Sequence, residues 1–243
     1  MMLLLMALAF AVQDDAAATE ALATYDAEFP KAKDATSRVA LIQTLSQTVH
    51  EKIIPKLGNA LSHADKPVRI AAANGLKNFT TGNPAQKKAA TKALVDGAAL
   101  TINGKDPEVK EALLGALGAL QDESAIPTIK TNLDDKSLRI TSAAVQAAVA
   151  LRHKNLIEPL ISLLQESEKT LRAAANPTLK GKKPTSAKKD ANDPEELKVE
   201  RAGNLIPVVQ ASLETLTGQK QPDGDSWDRW WSKARPNFVM KKD

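Results

Sequence analysis

Five segments of the chain repeat one pattern of polar and apolar residues. Each opens with an acidic residue, followed by an aliphatic residue at the third position after it, a basic residue at the fourth and leucine at the eleventh. The opening residues are Asp34, Asp65, Asp106, Asp135 and Glu168, at intervals of 31, 41, 29 and 33 residues. Offsets of three, seven and eleven lie on one side of an α-helix, so each segment predicts a helix with one buried stripe. The opening acid stands where an N-cap accepts free backbone N–H groups.

The fourth offset is basic in all five segments. Departures from the pattern are few: Ser37 replaces the aliphatic residue in the first segment, and Gln146 replaces leucine in the fourth. The repeated basic residues form a ladder of Arg38, Arg69, Lys110, Arg139 and Arg172. Self-similarity at an interval of about 30–40 residues is typical of stacked helical repeats.

A second kind of helix is predicted between these segments. Its mark is an apolar residue followed by proline and another apolar residue two positions later, as in Ile54-Pro55, Ile126-Pro127 and Ile206-Pro207, with Glu158-Pro159 as a looser copy. Proline is tolerated in the first turn, where backbone N–H groups have no partner within the helix. Asn83-Pro84 opens one more partner helix, which we expect to run to about Leu100.

Asp65-Lys66-Pro67-Val68-Arg69-Ile70-Ala71-Ala72-Ala73-Asn74-Gly75-Leu76 resembles the second helix of a HEAT repeat, and the segments at Asp106 and Asp135 resemble further copies. The resemblance covers residues 17–217. It implies an all-α, right-handed α-solenoid of about five helix pairs, with the acidic-to-basic helices on its concave side. It also implies that the ladder bonds acidic residues of adjacent turns, a structural role; anion binding is the alternative.

The first residues predict a targeting segment. Met1 to Val12 is apolar throughout, which is the length of a signal-peptide core and too short to span a membrane. Small residues at Ala7, Ala9 and Ala11 suit a signal peptidase, although no basic residue precedes the apolar run. We expect residues 1–11 to be a signal peptide and the protein to be periplasmic or secreted; a buried first helix is the alternative.

The C-terminal third breaks the repeat pattern twice. Residues 177–192 carry five lysines without apolar periodicity, so they predict a flexible Lys-rich surface loop. A helix then starts at Asp193-Pro194 and ends near Thr217, with Gly218 as its C-cap. Residues 218–243 hold all three tryptophans, Trp227, Trp230 and Trp231, on a short helix that Asp225 is expected to cap. They read as a C-terminal helical cap, or as a binding platform.

Composition narrows the function classes. Aromatic residues make up only 3% of the chain, which disfavours a β-sandwich or barrel, and the absence of cysteine excludes disulfides and thiolate chemistry. His50, His63 and His153 show no metal-ligand spacing, and no glycine-rich phosphate loop occurs. We therefore predict no cofactor, no metal and no catalytic residues. The leading hypothesis is a non-catalytic scaffold for an unidentified protein partner. The alternatives are a nucleic-acid or anion binder and a HEAT-like enzyme such as a lyase or glycosylase.

Overall fold

The computed structural model describes residues 2–176 and 194–240. This part of the chain is all-α, with twelve α-helices and no β-strand, and the helices pack in the repeat-like arrangement of an α-solenoid. The helices are α1 (Met2–Glu28), α2 (Ala35–Leu45), α3 (Ile54–Ala60), α4 (Lys66–Lys77), α5 (Pro84–Ala98), α6 (Thr101–Gly104), α7 (Pro107–Leu120), α8 (Ile126–Leu133), α9 (Leu138–Leu151), α10 (Ile157–Ala175), α11 (Pro194–Thr217) and α12 (Gly224–Ala234). The chain divides into two compact units, residues 1–128 and 129–243.

Unit 1 is built in two layers. Helices α2, α4 and α7 lie side by side in one layer, and α3 and α5 form the other, with α3 against α4 and α5 against α7. The predicted stripe is buried: Val68, Ala72 and Leu76 of α4 are fully buried, as is Val109 of α7. Burial of a valine or leucine side chain contributes about 1.5–3 kcal/mol, which explains why aliphatic residues recur at these offsets.

The partner helices begin with a capped 3-10 turn, a feature that explains two of the histidines. His50 and His153 precede α3 and α10, and the Nδ1 atom of each accepts the backbone N–H two residues ahead, at 3.2 and 3.1 Å. Asp122 does the same before α8, accepting from the N–H of Ser124 at 3.0 Å. These side chains satisfy N–H groups that a helix start leaves free.

Unit 2 contains α9, α10, α11 and α12. Helix α11 packs against both α9 and α10, and α12 packs against α10. As predicted, α11 ends at Thr217; Gly218 then takes a left-handed conformation with φ 68° and donates its N–H to the Glu214 carbonyl at 2.8 Å. The Lys-rich loop predicted at residues 177–192 lies outside the described residues.

The segment opening at Glu168 is not a separate helix. Glu168 lies inside α10, which continues without interruption from Ile157 to Ala175, and Arg172 faces it one turn later at 3.7 Å. An acid followed four residues later by a base is also the ordinary spacing of an ion pair within one helix, so the local pattern misled the prediction. The helix that packs beside α9 is α11 instead.

Three further boundary predictions were wrong. Asp135 does not cap α9, whose N-cap is Ser137; Oδ1 of Asp135 accepts the Ser137 N–H instead, at 2.8 Å. Pro207 lies inside α11 rather than near its start, and it is exposed, so water can satisfy the Gly203 carbonyl that loses its N–H partner. The N-cap of α12 is Asp223, which accepts the Ser226 N–H at 2.7 Å. Asp225 accepts instead from Nε2 of Gln165 in α10, at 3.1 Å. Among the described residues, no helix is long and apolar enough to cross a membrane.

Candidate protein-interaction surfaces

The basic ladder joins successive repeats in unit 1. Nη1 of Arg38 in α2 donates to Oδ2 of Asp65, the acid that opens the next copy, at 2.9 Å. Nη2 of Arg69 in α4 donates in the same way to Oδ2 of Asp106. Asp65 and Asp106 stand at the N-cap positions of α4 and α7 but make no capping bond with their side chains. The acid of these two copies is therefore used to hold the arginine of the preceding copy.

Arg69 is the most deeply placed member of this ladder. Its side chain is 2% exposed, and Nη1 donates to the carbonyl oxygens of His63 and Ala64, both at 2.8 Å. Lys66 reinforces the junction from the outside: its Nζ lies 2.5 Å from Glu108 and 3.5 Å from Asp106. The hydrogen bond and charge of Glu108 raise the pKa of Lys66 above its usual value. These cations are committed to internal partners.

The other three members of the predicted ladder differ in their surroundings. Lys110 is half-buried in α7, and Arg139 is exposed in α9, each four residues after the acid of its copy. Arg172 is exposed near the end of α10 and lies against Glu168 of the same helix. The structure therefore places Arg172 outside the repeated helix that the ladder was predicted to mark.

The three tryptophans form one aromatic cluster with Phe238. Trp227 and Trp231 are buried, at 0% and 4% exposure, while Trp230 is half-buried. Trp230 meets the rings of Trp227 and Phe238 edge to face, at centroid distances of 5.7 and 6.0 Å. Burial of two of the three indoles favours the cap interpretation over a flat ligand platform. Sequence reasoning missed Phe238 because a lone aromatic after a helix carries no periodic signal.

Helix α12 is anchored on α10 by polar contacts at its first turn. Both carboxylate oxygens of Glu168 accept the Gly224 N–H at 3.2 Å, which is a favourable site for an anion at a helix N-terminus. A Cβ at Gly224 would lie 2.6 Å from Cγ of Gln165 and 3.1 Å from its backbone, so a larger residue would force this contact to shift. At the other end of α12, Nη1 of Arg235 pairs with Glu158 at 3.0 Å. Glu168 therefore has a docking role that its sequence pattern did not indicate.

Unit 2 contains a large groove, named the α11 groove here. Its walls are the residues that lead into α9, the C-terminal half of α10 and the first turns of α11, and its volume is about 1600 Å³. Apolar side chains line its base, among them Leu138, Leu163 and Ala202. Leu197 stands at its edge and is 49% exposed.

Arg201 fixes one wall of the α11 groove. Its Nη2 donates to the Asp135 carbonyl at 2.6 Å and to Oγ1 of Thr141 at 2.9 Å, which ties α11 to the start of α9. Burial lowers the pKa of Arg201, against the opposing effect of the Asp135 and Asp134 charges. No sequence signal pointed to Arg201, because it lies outside the repeated offsets.

Residues 98–180 match the family model for HEAT repeats. This stretch is similar to HEAT repeats. The matched stretch includes α6 through α10, whereas the Arg38–Asp65 pair lies N-terminal to it. The repeat contacts therefore extend into residues that the family model does not cover. A comparison with curated proteins finds no match to the chain.

HEAT repeats generally mediate protein interactions as scaffolds, and the family is typically non-catalytic. Within residues 2–176 and 194–240, no cluster of three or more metal-ligating side chains is placed to hold an ion. His50 lies 3.3 Å from Asp15, and Nδ1 of His63 accepts the Asp65 N–H at 3.0 Å. The paired acids at 122–123 and 134–135 flank helix starts, where Asp122 serves as a cap.

Proposed function

We propose that the chain is a non-catalytic protein-binding scaffold that works outside the cytoplasm. The observation that carries this proposal is the match of residues 98–180 to HEAT repeats, whose general role is protein interaction. Stacked repeats present adjacent helices as one extended surface, which suits an extended partner better than a small ligand. The concave face that the sequence resemblance implies is the part of this surface that we expect to be used.

The ladder supports a protein partner over an anionic one. Arg69 is buried and shares its donors among Asp106 and two carbonyl oxygens, so a phosphate could reach it only by displacing these contacts. Arg38 is likewise held by Asp65. The cations that recur most regularly in the sequence are thus used inside the repeats.

The part of α1 from Asp15 onward makes contacts of its own with the first repeat. Ala18 and Tyr25 of α1 are buried, and both follow the proposed cleavage point. Asp15 pairs with Lys52 at 2.8 Å, and Asp26 pairs with Lys56 at 2.6 Å. The part of α1 after residue 11 can therefore cover the first repeat in the mature protein.

The scaffold function can be tested by affinity capture from the exported fraction of the source cells. We expect the chain to retain a discrete protein after nuclease treatment and at physiological salt. Val109→Asp is the matched control, because a charge in the buried stripe disrupts the repeats. Retention of nucleic acid alone, or of the same proteins by the disrupted variant, would contradict the proposal.

Export has its own test, which is N-terminal sequencing of the native protein. We expect the mature chain to start near Val12 and to be recovered outside the cytoplasm. A cytoplasmic protein that retains Met1 would show that residues 1–11 are part of the working molecule.

A further inference from the structure

The size of the α11 groove indicates the class of ligand that it can hold. Its volume of about 1600 Å³ exceeds the range of about 300–1,000 Å³ that is usual for small-molecule pockets. Successive residues from Glu195 to Ala202, about two turns of α11, contribute to its lining. A groove that follows a helix for two turns matches the dimensions of a peptide segment.

The base and one edge of the groove are apolar. Leu138 is half-buried, Leu163 is 8% exposed and Leu197 is 49% exposed. Leucine at half exposure is unusual among the described residues, since Ile102, Val208 and Val239 are the other large aliphatics of comparable or greater exposure. A partner that covers Leu197 would remove its apolar surface from water, which would contribute favourably to the binding free energy.

The rim of the groove is predominantly acidic. Six carboxylates line it, against the four cations Lys136, Lys169, Lys198 and Arg201; the acids are Asp134, Asp135, Glu166, Glu195, Glu196 and Glu200. Lys169 and Lys198 are paired with Glu166 and Glu195, at 3.6 and 3.5 Å.

Two rim acids are left for a ligand. Glu196 and Glu200 take part in none of the ion pairs seen in the described residues, whereas the charge of Asp134 acts on Arg201. Arg201 does not offset them at the surface, because its Nη2 is turned toward Asp135 and Thr141. With Lys136 counted, the rim still carries more negative than positive charge, which favours basic partners.

We propose that the α11 groove binds a basic amphipathic peptide segment of a protein partner. Apolar side chains of the segment would cover Leu197 and Leu138, while its lysines or arginines would face Glu196 and Glu200. This inference rests on the proposed scaffold function and names the chemistry of the partner and its place on the chain.

The test measures binding of a fluorescein-labelled peptide to the full chain by fluorescence anisotropy. The peptide is two heptads long and has leucine and lysine arranged with helical periodicity. We expect the peptide to bind and a leucine–glutamate peptide of the same pattern not to bind. Glu196→Gln with Glu200→Gln should weaken binding about fivefold, more at low salt, and Leu197→Ser about tenfold. The matched controls are Glu214→Gln with Asp228→Asn, and Val208→Ser, which change exposed or half-exposed residues of unit 2 outside the groove.

Each other outcome overturns the inference. Equal losses in the groove and control variants would place binding elsewhere, and binding of the acidic peptide would contradict the charge argument. If the peptide binds only after deletion of residues 180–189, the occupant of the groove is the chain's own lysine-rich segment and not a partner. Absence of binding, together with capture of a protein partner from the exported fraction, would refute the groove assignment and leave the scaffold function standing.

Discussion

Arg69→Ala removes the side chain that joins α4 to the start of α7, and we expect it to be the most destabilising change in the ladder. The guanidinium is 2% exposed and donates three hydrogen bonds, to the carbonyl oxygens of His63 and Ala64 and to the Asp106 carboxylate. Removing one partner of a buried ion pair costs about 3–5 kcal/mol, because the remaining groups lose their compensation. Asp106 is 26% exposed and keeps Lys66 at 3.5 Å, which places the expected loss near the lower figure.

Arg38→Ala is the matched control, since it removes the equivalent contact one repeat earlier. Arg38 and Asp65 are 26% and 37% exposed, and ion pairs of that exposure contribute about 0–1 kcal/mol. Urea unfolding followed by far-ultraviolet circular dichroism measures both losses. In thermal unfolding, we expect a shift of about 6–12 °C for Arg69→Ala and about 2 °C for Arg38→Ala.

A double-mutant cycle with Asp106→Asn separates the ladder bond from the packing of the arginine stem. We expect a coupling of more than about 1 kcal/mol between positions 69 and 106. Equal destabilisation by Arg38→Ala and Arg69→Ala, or a loss below about 1 kcal/mol for Arg69→Ala, would refute the structural account of the ladder.

Four further changes test other parts of the structure. Trp227→Ala should cost about 3–5 kcal/mol, and the intact protein should emit at short wavelength and resist acrylamide quenching, because Trp227 is fully buried. Val109→Asp should unfold unit 1, whereas Glu108→Ala on its half-exposed face should cost less than about 1 kcal/mol in urea unfolding. Hydrogen bonds from Ser226 lower the pKa of Asp223 below its usual 3.8. The contribution of Asp223 to folding stability is therefore complete above pH 3.8 and is lost as the pH falls through the lower pKa of the folded state. In Asp223→Asn, stability should depend less on pH in this range. Burial raises the pKa of Tyr25, the single tyrosine, to about 12, so absorbance at 295 nm should report little tyrosinate at about pH 10.5 until α1 is released.

Sequence periodicity was sufficient to predict the repeated helices of unit 1. The helices after Asp34, Asp65 and Asp106 begin where predicted, because buried stripes and helix starts are local signals. The same local pattern failed at Glu168, since an acid and a base four residues apart also occur within an uninterrupted helix. Local signals identify helix-forming sequences but do not by themselves determine every boundary.

The contacts between distant residues could not be predicted in this way. Arg201 reaches Asp135 across 66 residues of sequence, and Glu168 reaches Gly224 across 56. The α11 groove forms where α9, α10 and α11 pack together, so the sequence of any one of these helices does not predict it. The ion pairs of the ladder could be predicted in part. The resemblance to HEAT repeats implied acidic partners in adjacent turns, and the structure identifies Asp65 as the partner of Arg38.

The scaffold account is tested most directly by capture on the purified chain from the exported fraction, with the leucine–lysine peptide as competitor. We predict that the chain retains a discrete protein and that this protein stays bound after nuclease treatment. The peptide should release it. The Leu197→Ser variant should fail to retain it, whereas the Val208→Ser variant should retain it. Retention of nothing but nucleic acid, or of no protein by a chain whose circular dichroism shows intact helices, would contradict it.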